Sequence, residues 1–260
     1  MSDDGDGPVQ AETARGVLTL TLDRPATRNA LSGALIAGLL DLVAYAATDP
    51  AVRVVVLSHT GPVFCSGVDL AETEAARGTG ELPAARLGEL LAAVWDCPKP
   101  VLARVGGPAR AGGLGLIAAA DIAVCTTDAT FAFSEVRIGV IPAVISATVL
   151  PRLTSRAAAE LYLTGEVFDG TRAAQVGLVT AAVPATELDA TVDRYLEGLR
   201  RAAPGALAGT KALLHRRTGP LDAELAELTA LSVSYFHSDE GVEGVAAYRQ
   251  KRDPAWIVPD

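Results

Sequence analysis

Few residues in this chain combine the right type and placement to do chemistry, and Glu135 stands first among them. It sits alone in FAFSEVRIGVIPAVIS, residues 131–146, between a strand-like run and a stretch broken by Gly139 and Pro142. A carboxylate in apolar surroundings is costly unless it is paired or used for chemistry. Pairing would fall to Arg137 or Arg152; use would mean accepting and returning a proton. Two glycine-bearing segments are the other candidates: FCSGVDL, residues 64–70, and AGGLG, residues 111–115. Glycine lets backbone N–H groups approach a ligand closely, and a helix N-terminus adds partial positive charge. Two such N–H groups aimed at one oxygen form an oxyanion hole. Either cluster could equally serve tight helix–strand packing.

Other chemistries are poorly supplied. Gly106-Gly107 and Gly112-Gly113 lack the spacing of a dinucleotide fingerprint, and the run from Gly205 to Lys211 is not a Walker A loop. Ser66, with Cys65 and His59 nearby, could hint at a nucleophilic hydrolase, but no GxSxG elbow surrounds it. Ser66 is expected to support its turn and Cys65 to pack. His59, His215 and His237 occupy no motif position, and no metal site is expected. Phe236 and Tyr248 fall at helical spacing and read as packing residues.

The elements that must position these groups are legible. Val17 to Leu22 alternates, with Leu18, Leu20 and Leu22 on one face: a strand. Leu31, Leu35, Leu39, Leu42 and Val43 recur at helical spacing. RVVVLS and KPVLARV read as buried strands that lead into the two glycine turns. LGLIAAA reads as a short helix, and DIAVCT and ATFAF as two short strands. The charged stretch from Glu72 to Glu81 reads as a surface loop. Beyond Pro151 the predicted helices SRAAAELYL, TELDATVDRYLEGLRRA and LDAELAELTALSVSYF dominate, and only LVTAAV resembles a strand. The fold class is α/β to about residue 150 and mostly helical afterwards.

With 260 residues the chain can bury a real core, and its 50% hydrophobic and 20% charged composition is that of a globular protein. A net charge of −9 argues against nucleic acid or an anionic membrane as partner. Cys65, Cys97 and Cys125 have no zinc-like spacing and read as reduced, buried thiols, in keeping with a cytoplasmic protein. The acidic opening MSDDGDGPVQ lacks the features of a signal peptide and reads, over residues 1–12, as a disordered tail.

Five ordered blocks, LDRPATRNAL, VFCSGVDL, KPVLARVGGPARAGGLGLIAAADIAV, TFAFSEVRIGVIP and LTGEVFDGTRAAQVGLVTAAVP, together resemble the crotonase, or enoyl-CoA hydratase/isomerase, superfamily. The likeness runs from about Gly16 to Trp256. It implies a spiral of ββα units over residues 13–195 and a helical trimerisation region over 196–260. It further implies a coenzyme A thioester as substrate, no metal or redox cofactor, and a homo-oligomer, either a trimer or a dimer of trimers.

Carried onto this sequence, the resemblance makes the N–H groups of Val68 and Gly112 the donors to the thioester oxygen. Ser66, Gly67, Asp69, Leu70, Gly113, Gly115 and Pro142 would line the substrate site, and Asp69 would also steady the turn after Val68. Arg24 and Arg28 would meet the adenosine end of coenzyme A, and Lys251, with Arg252, a phosphate. Many hydratases of the superfamily use two glutamates. Here one matches Glu135, whereas the other falls on Gly115, and Asp121 lies too far along the helix to replace it. The texture of AGGLGL and SEVRIGVIPAVIS is closest to hydratases acting on branched or carboxylated enoyl-CoAs of the methylglutaconyl-CoA type. The expected activity is therefore hydration of a 2-enoyl-CoA with a single glutamate. Isomerisation and acyl-CoA binding without turnover remain the alternatives.

Overall fold

The computed structural model describes residues 7–69, 71–72, 83–215 and 238–257. Leu70, most of the stretch expected to be a surface loop, the helical run at 221–236, Phe236 and His237 lie outside these, as does the side chain of Tyr248.

The first unit, Met1–Arg194, holds the elements that carry the two glycine turns and Glu135. A six-stranded sheet runs β1 (Val9–Ala14), β2 (Val17–Leu22), β3 (Val54–His59), β4 (Val101–Val105), β6 (Ile122–Thr126), β9 (Ala181–Val183). Only the β1–β2 pair is antiparallel. A second sheet orders β5 (Ala109–Arg110), β7 (Thr130–Ala132) and β8 (Phe168–Asp169). Parallel strands covered on both faces read as continuous apolar runs, and Val54 to Leu57 are indeed all buried. On β2 the alternation holds instead: Leu18, Leu20 and Leu22 are buried, with Thr19 and Thr21 partly open.

The helices of this unit are α1 (Gly33–Thr48), α2 (Pro83–Asp96), α3 (Gly112–Ala119), α4 (Ala143–Val149), α5 (Ser155–Thr164) and α6 (Gly170–Gln175). Its last helix, α7, begins at Leu188. Ser32 caps α1 by accepting the N–H of Leu35 at 3.2 Å, and Asp169 caps α6 by accepting that of Arg172 at 2.8 Å. The order β4–β5–α3 followed by β6–β7–α4 is the ββα repeat: the first strand of each pair joins the large sheet and the second the small one. The chain is α/β with the crotonase-like spiral.

Three expectations are corrected. The tail expected over residues 1–12 is a strand from Val9 on, paired with Val17–Leu22 through six residue pairs. Its exposed, polar positions hid an edge strand that is held by backbone hydrogen bonds rather than by a buried face. The stretch broken by Gly139 and Pro142 does not stay irregular: at Ala143 it gives way to helix α4, with Ile145, Thr148 and Val149 buried. Beyond Pro151 a second strand, the two-residue β8, accompanies β9.

The second unit, Tyr195–Asp260, contains α8 (Pro204–Leu214) and α9 (Asp239–Gln250). The Glu240 carboxylate accepts the N–H of Gly205 at 2.8 Å and that of Ala206 at 3.2 Å, closing the orphan donors at the start of α8. The Trp256 indole donates to the Arg201 carbonyl at 2.9 Å.

Candidate active site

The first glycine turn follows β3 and is held on an unusual buried group. Asn29, in the left-handed region with φ 52°, is fully buried. Its amide donates to the carbonyls of Thr60 (3.0 Å) and Val63 (2.8 Å), and its carbonyl accepts the Arg24 N–H at 2.8 Å. Sequence reasoning passed over Asn29. Beyond it, the Leu31 N–H donates to the Gly67 carbonyl at 2.8 Å and the Asp69 N–H to the Leu31 carbonyl at 3.2 Å. That parallel bridge uses the groups on either side of Val68. The Val68 N–H therefore points to the opposite edge, as the alternation of a parallel ladder requires.

The second turn lies on that opposite edge. A Cβ built on Gly112 would stand 3.7 Å from the Val68 nitrogen, and one built on Gly67 would stand 3.6 Å from the Gly112 nitrogen. Gly112 begins α3, where the N–H has no partner within the helix. Among the described residues, neither this N–H nor that of Val68 donates to any protein acceptor. Two unclaimed backbone donors thus stand at adjoining turns. Gly67 is required there, since its φ is +95° and a Cβ would press the Ala111 methyl at 3.0 Å.

The other two glycines do different work. A Cβ on Gly113 would meet the Cys65 Cβ and carbonyl oxygen at 2.8 Å, so Gly113 serves close packing of the two turns. Gly115 faces helix α4. A Cβ there would fall 2.6 Å from the Ile145 Cγ2 and 3.2 Å from the Leu91 Cδ1. The place of the absent second carboxylate is therefore occupied by apolar side chains, and Asp121 instead accepts the Val101 N–H at 2.8 Å.

Glu135 sits in a short 3-10 turn, Ser134–Ile138, just past β7. Strands β5 and β7 run parallel with Arg110 paired to Ala132, so Gly112 and Glu135 emerge at the same edge. The Glu135 carboxylate is half-buried, and its Oε2 is fully enclosed without a hydrogen-bond partner. Burial pushes this carboxyl above the ordinary glutamate range. Burial raises the Tyr162 phenol, the Ser146 hydroxyl beside it works the other way, and the Glu135 charge adds a smaller upward push. Its ring packs 4.4 Å from that of Phe133, and its hydroxyl is 3.5 Å from the Ser146 Oγ. Neither candidate arginine is the partner. Arg137 donates to the Gly165 carbonyl at 3.0 Å, and Arg152 to the carbonyls of Ala118 (3.0 Å) and Ala120 (3.1 Å).

The remaining candidates separate. Ser66 donates its N–H to the Arg28 carbonyl at 3.1 Å, and Asp69 accepts the N–H groups of Ala71 (3.0 Å) and Glu72 (3.2 Å), steadying the turn as expected. The Arg24 guanidinium donates to the Ser32 Oγ at 3.1 Å, whereas Arg28 is exposed in the left-handed region. Pro142 precedes α4, and its carbonyl accepts the Ser146 hydroxyl at 2.6 Å. Lys251, in the second unit, is exposed with φ 55°. Arg252 is clamped on Glu243 at 2.6 and 2.8 Å, which competes with any phosphate contact. Cys65 is buried and its thiol pushed up to about 12, which leaves no thiolate for nucleophilic chemistry. The His59 Nε2 accepts the Gly106 N–H at 3.1 Å, and burial lowers its pKa. Among the described residues no cluster of His, Cys, Asp or Glu could hold a metal, and no helix is long and apolar enough to cross a membrane.

Comparison with known proteins bears on this arrangement directly. The family model for enoyl-CoA hydratase/isomerase matches residues 12–258. The chain is 32% identical to the mitochondrial enoyl-CoA hydratase domain-containing protein 3 of Danio rerio, over 100% of this chain and 91% of that protein. It is also 32% identical to a peroxisomal Delta(3,5)-Delta(2,4)-dienoyl-CoA isomerase of Arabidopsis thaliana, over 95% and 94%. The solved structure of Pseudomonas aeruginosa AtuE superposes with a TM-score of 0.91 at 36% identity, covering 96% of this chain and 100% of that one. Free N–H groups at two adjoining glycine turns, a carboxylate at the same edge and a match along nearly the whole chain agree: this protein belongs to the enoyl-CoA hydratase/isomerase family.

Proposed function

We propose that the protein is a hydratase that adds water to a 2-enoyl-CoA thioester, with Glu135 as its single acid–base. The observation that carries this reading is the Glu135 carboxylate itself: one oxygen is enclosed without a partner, and no cation among the described residues neutralises it. The N–H groups of Val68 and Gly112 both donate to the thioester oxygen. Electrostatic stabilisation of this kind is usually the largest catalytic contribution, and one such donor is worth about 10²–10³ in rate. Glu135 takes a proton from water as its oxygen bonds to C3. The electron pair of the C2–C3 double bond moves to the thioester oxygen as an enolate. Glu135 then returns the proton to C2, so that H and OH are added and the carboxylate is restored. The carboxyl's raised pKa brings it nearer the operating pH, where an acid–base group exchanges protons best.

A second reading rests on Gly115. With Ile145 and Leu91 filling the space beside it, position 115 offers no carboxylate, and isomerisation needs only one: Glu135 would remove a proton from C2 and deliver it to C4. A third is acyl-CoA binding without turnover. The acyl group is taken to be branched or carboxylated, with Ser66, Gly67, Asp69, Leu70, Gly113, Gly115 and Pro142 about it. Arg24, Arg28 and Lys251 are assigned to coenzyme A. The chemistry needs no cofactor beyond the thioester. Residues 196–260 are assigned to trimerisation, which a solution mass of three or six chains would support.

The deciding experiment follows the conjugated enoyl-thioester absorbance of crotonyl-CoA and a branched analogue with wild type and Glu135→Gln. Its loss with wild type alone supports hydration through Glu135. Its gain from a 3-enoyl-CoA, with no loss from either 2-enoyl-CoA, replaces hydration by isomerisation. Tight binding without any change would leave binding alone.

A further inference from the structure

The residue between the two donor turns is strained, and it is not a glycine. Ala111 has φ 47° and ψ −118°, outside the regions open to a residue with a Cβ. Such conformations persist only where the surroundings over-determine them, and they cluster at functional sites. Here both flanks are pinned. On one side Arg110 donates its N–H to the Cys65 carbonyl at 3.0 Å, and its guanidinium donates to the Thr130 hydroxyl at 3.0 Å and the Ala109 carbonyl at 2.8 Å. On the other, the Ala111 carbonyl accepts the N–H of Leu114 at 2.9 Å and that of Gly115 at 3.4 Å, which starts helix α3. The whole change of direction from strand to helix falls on one residue. Its ψ is the torsion that orients the following peptide, and the N–H of that peptide is the Gly112 donor.

The methyl group reaches the other donor. It stands 3.0 Å from the place a Cβ on Gly67 would take, so it closes that side of Gly67, whose next peptide carries the Val68 N–H. We infer that Ala111 is a positioning residue for the donor pair: its backbone aims the Gly112 N–H, and its methyl, braced on Gly67, fixes the Val68 N–H beside it. Glycine would satisfy the same turn without strain but would free both peptides to rotate. This inference rests on the reading of Val68 and Gly112 as donors to the thioester oxygen.

The test needs no turnover. Acetoacetyl-CoA has an acidic C2, and its enolate absorbs in the near ultraviolet, so the enolate fraction of bound ligand reports stabilisation of charge on the thioester oxygen. Ala111→Gly should lower the enolate-to-keto ratio of bound acetoacetyl-CoA about tenfold, as a small misplacement of a site does. Affinity for coenzyme A itself should stay within about twofold, and Tm should not fall, because glycine relieves the strained φ. Ala111→Ser, which keeps the Cβ on Gly67, should retain the wild-type ratio. An unchanged ratio in Ala111→Gly overturns the positioning role while leaving the donors in place. Failure of the wild-type protein to enolise the bound ligand overturns the donor assignment and this inference together.

Discussion

Positions 135 and 115 lie on two elements of the same spiral, and superfamily resemblance makes both of them sites for a carboxylate. They have been built in opposite ways. At 135 the side chain ends in an oxygen enclosed without a hydrogen bond, which costs stability. At 115 the side chain is gone and Ile145 and Leu91 close over the gap. The difference teaches that the absence of a side chain at 115 is also a packing state: Ile145 of helix α4 stands where a side chain would have to go, so a glutamate placed there meets a steric barrier.

The largest effect expected from breaking the comparison is at 135. Glu135→Gln keeps the shape and removes the base, so kcat should fall by about 10²–10⁴-fold with little change in acyl-CoA affinity. Steady-state turnover beside ligand titration measures both. Equal losses of affinity and rate would make Glu135 a binding group.

Next is 115. Gly115→Glu must push the Ile145 Cγ2 from 2.6 Å, and overpacking of this kind costs about 1–3 kcal/mol before the added burial of charge. Thermal or denaturant unfolding should show that loss, and Gly115→Glu combined with Ile145→Ala should recover part of it. A single variant as stable as wild type would show that the gap is not closed. A double variant no more stable than the single would show that Ile145 is not what closes it.

The pH dependence sharpens the contrast further, because only position 135 titrates. The folded carboxyl has its pKa raised above the unfolded value, so the folded state holds the proton more tightly. Wild type is then favoured at pH below the ordinary carboxylate range and loses that advantage as pH rises through the raised pKa. Glu135→Gln should therefore be the more stable protein at neutral pH, with the gap closing as pH falls. The rate of water addition should decline on the acid side through the same raised pKa, since the carboxylate is the active form.

Much of this was legible before any coordinates. Alternation marked Val17–Leu22, the spacing of Leu35, Leu39, Leu42 and Val43 marked α1, although Leu31, expected with them, lies before the helix in a bridge to Val68, and glycine placement marked both turns. The acid at 135 stood out because it had no charged neighbour of its own sign or the opposite until Arg137. What could not be read depended on contacts between distant segments. Nothing in AGGLG says that Ile145 fills the side of Gly115, or that the Ala111 methyl closes the side of Gly67. Asn29 looks like one more polar turn residue until its amide is found between Thr60 and Val63. Strand β1 was hidden because five of its six positions are exposed, so its order comes from backbone pairing alone.

The smallest effect is expected at Ser146, one residue on from the isoleucine that closes Gly115. Its hydroxyl donates to the Pro142 carbonyl at 2.6 Å, within the first turn of α4, and that leaves no proton to offer the Tyr162 hydroxyl 3.5 Å away. Ser146→Ala should then cost about 1 kcal/mol, the net worth of one hydrogen bond, or about 2–4 °C in Tm for a chain of this size. Turnover should stay within about twofold. A loss of rate approaching that of Glu135→Gln would mean that Ser146 and Tyr162 carry protons with Glu135. Position 115 would then have been replaced by a hydroxyl pair from α4 and α5, and the single-carboxylate account of the site would fall.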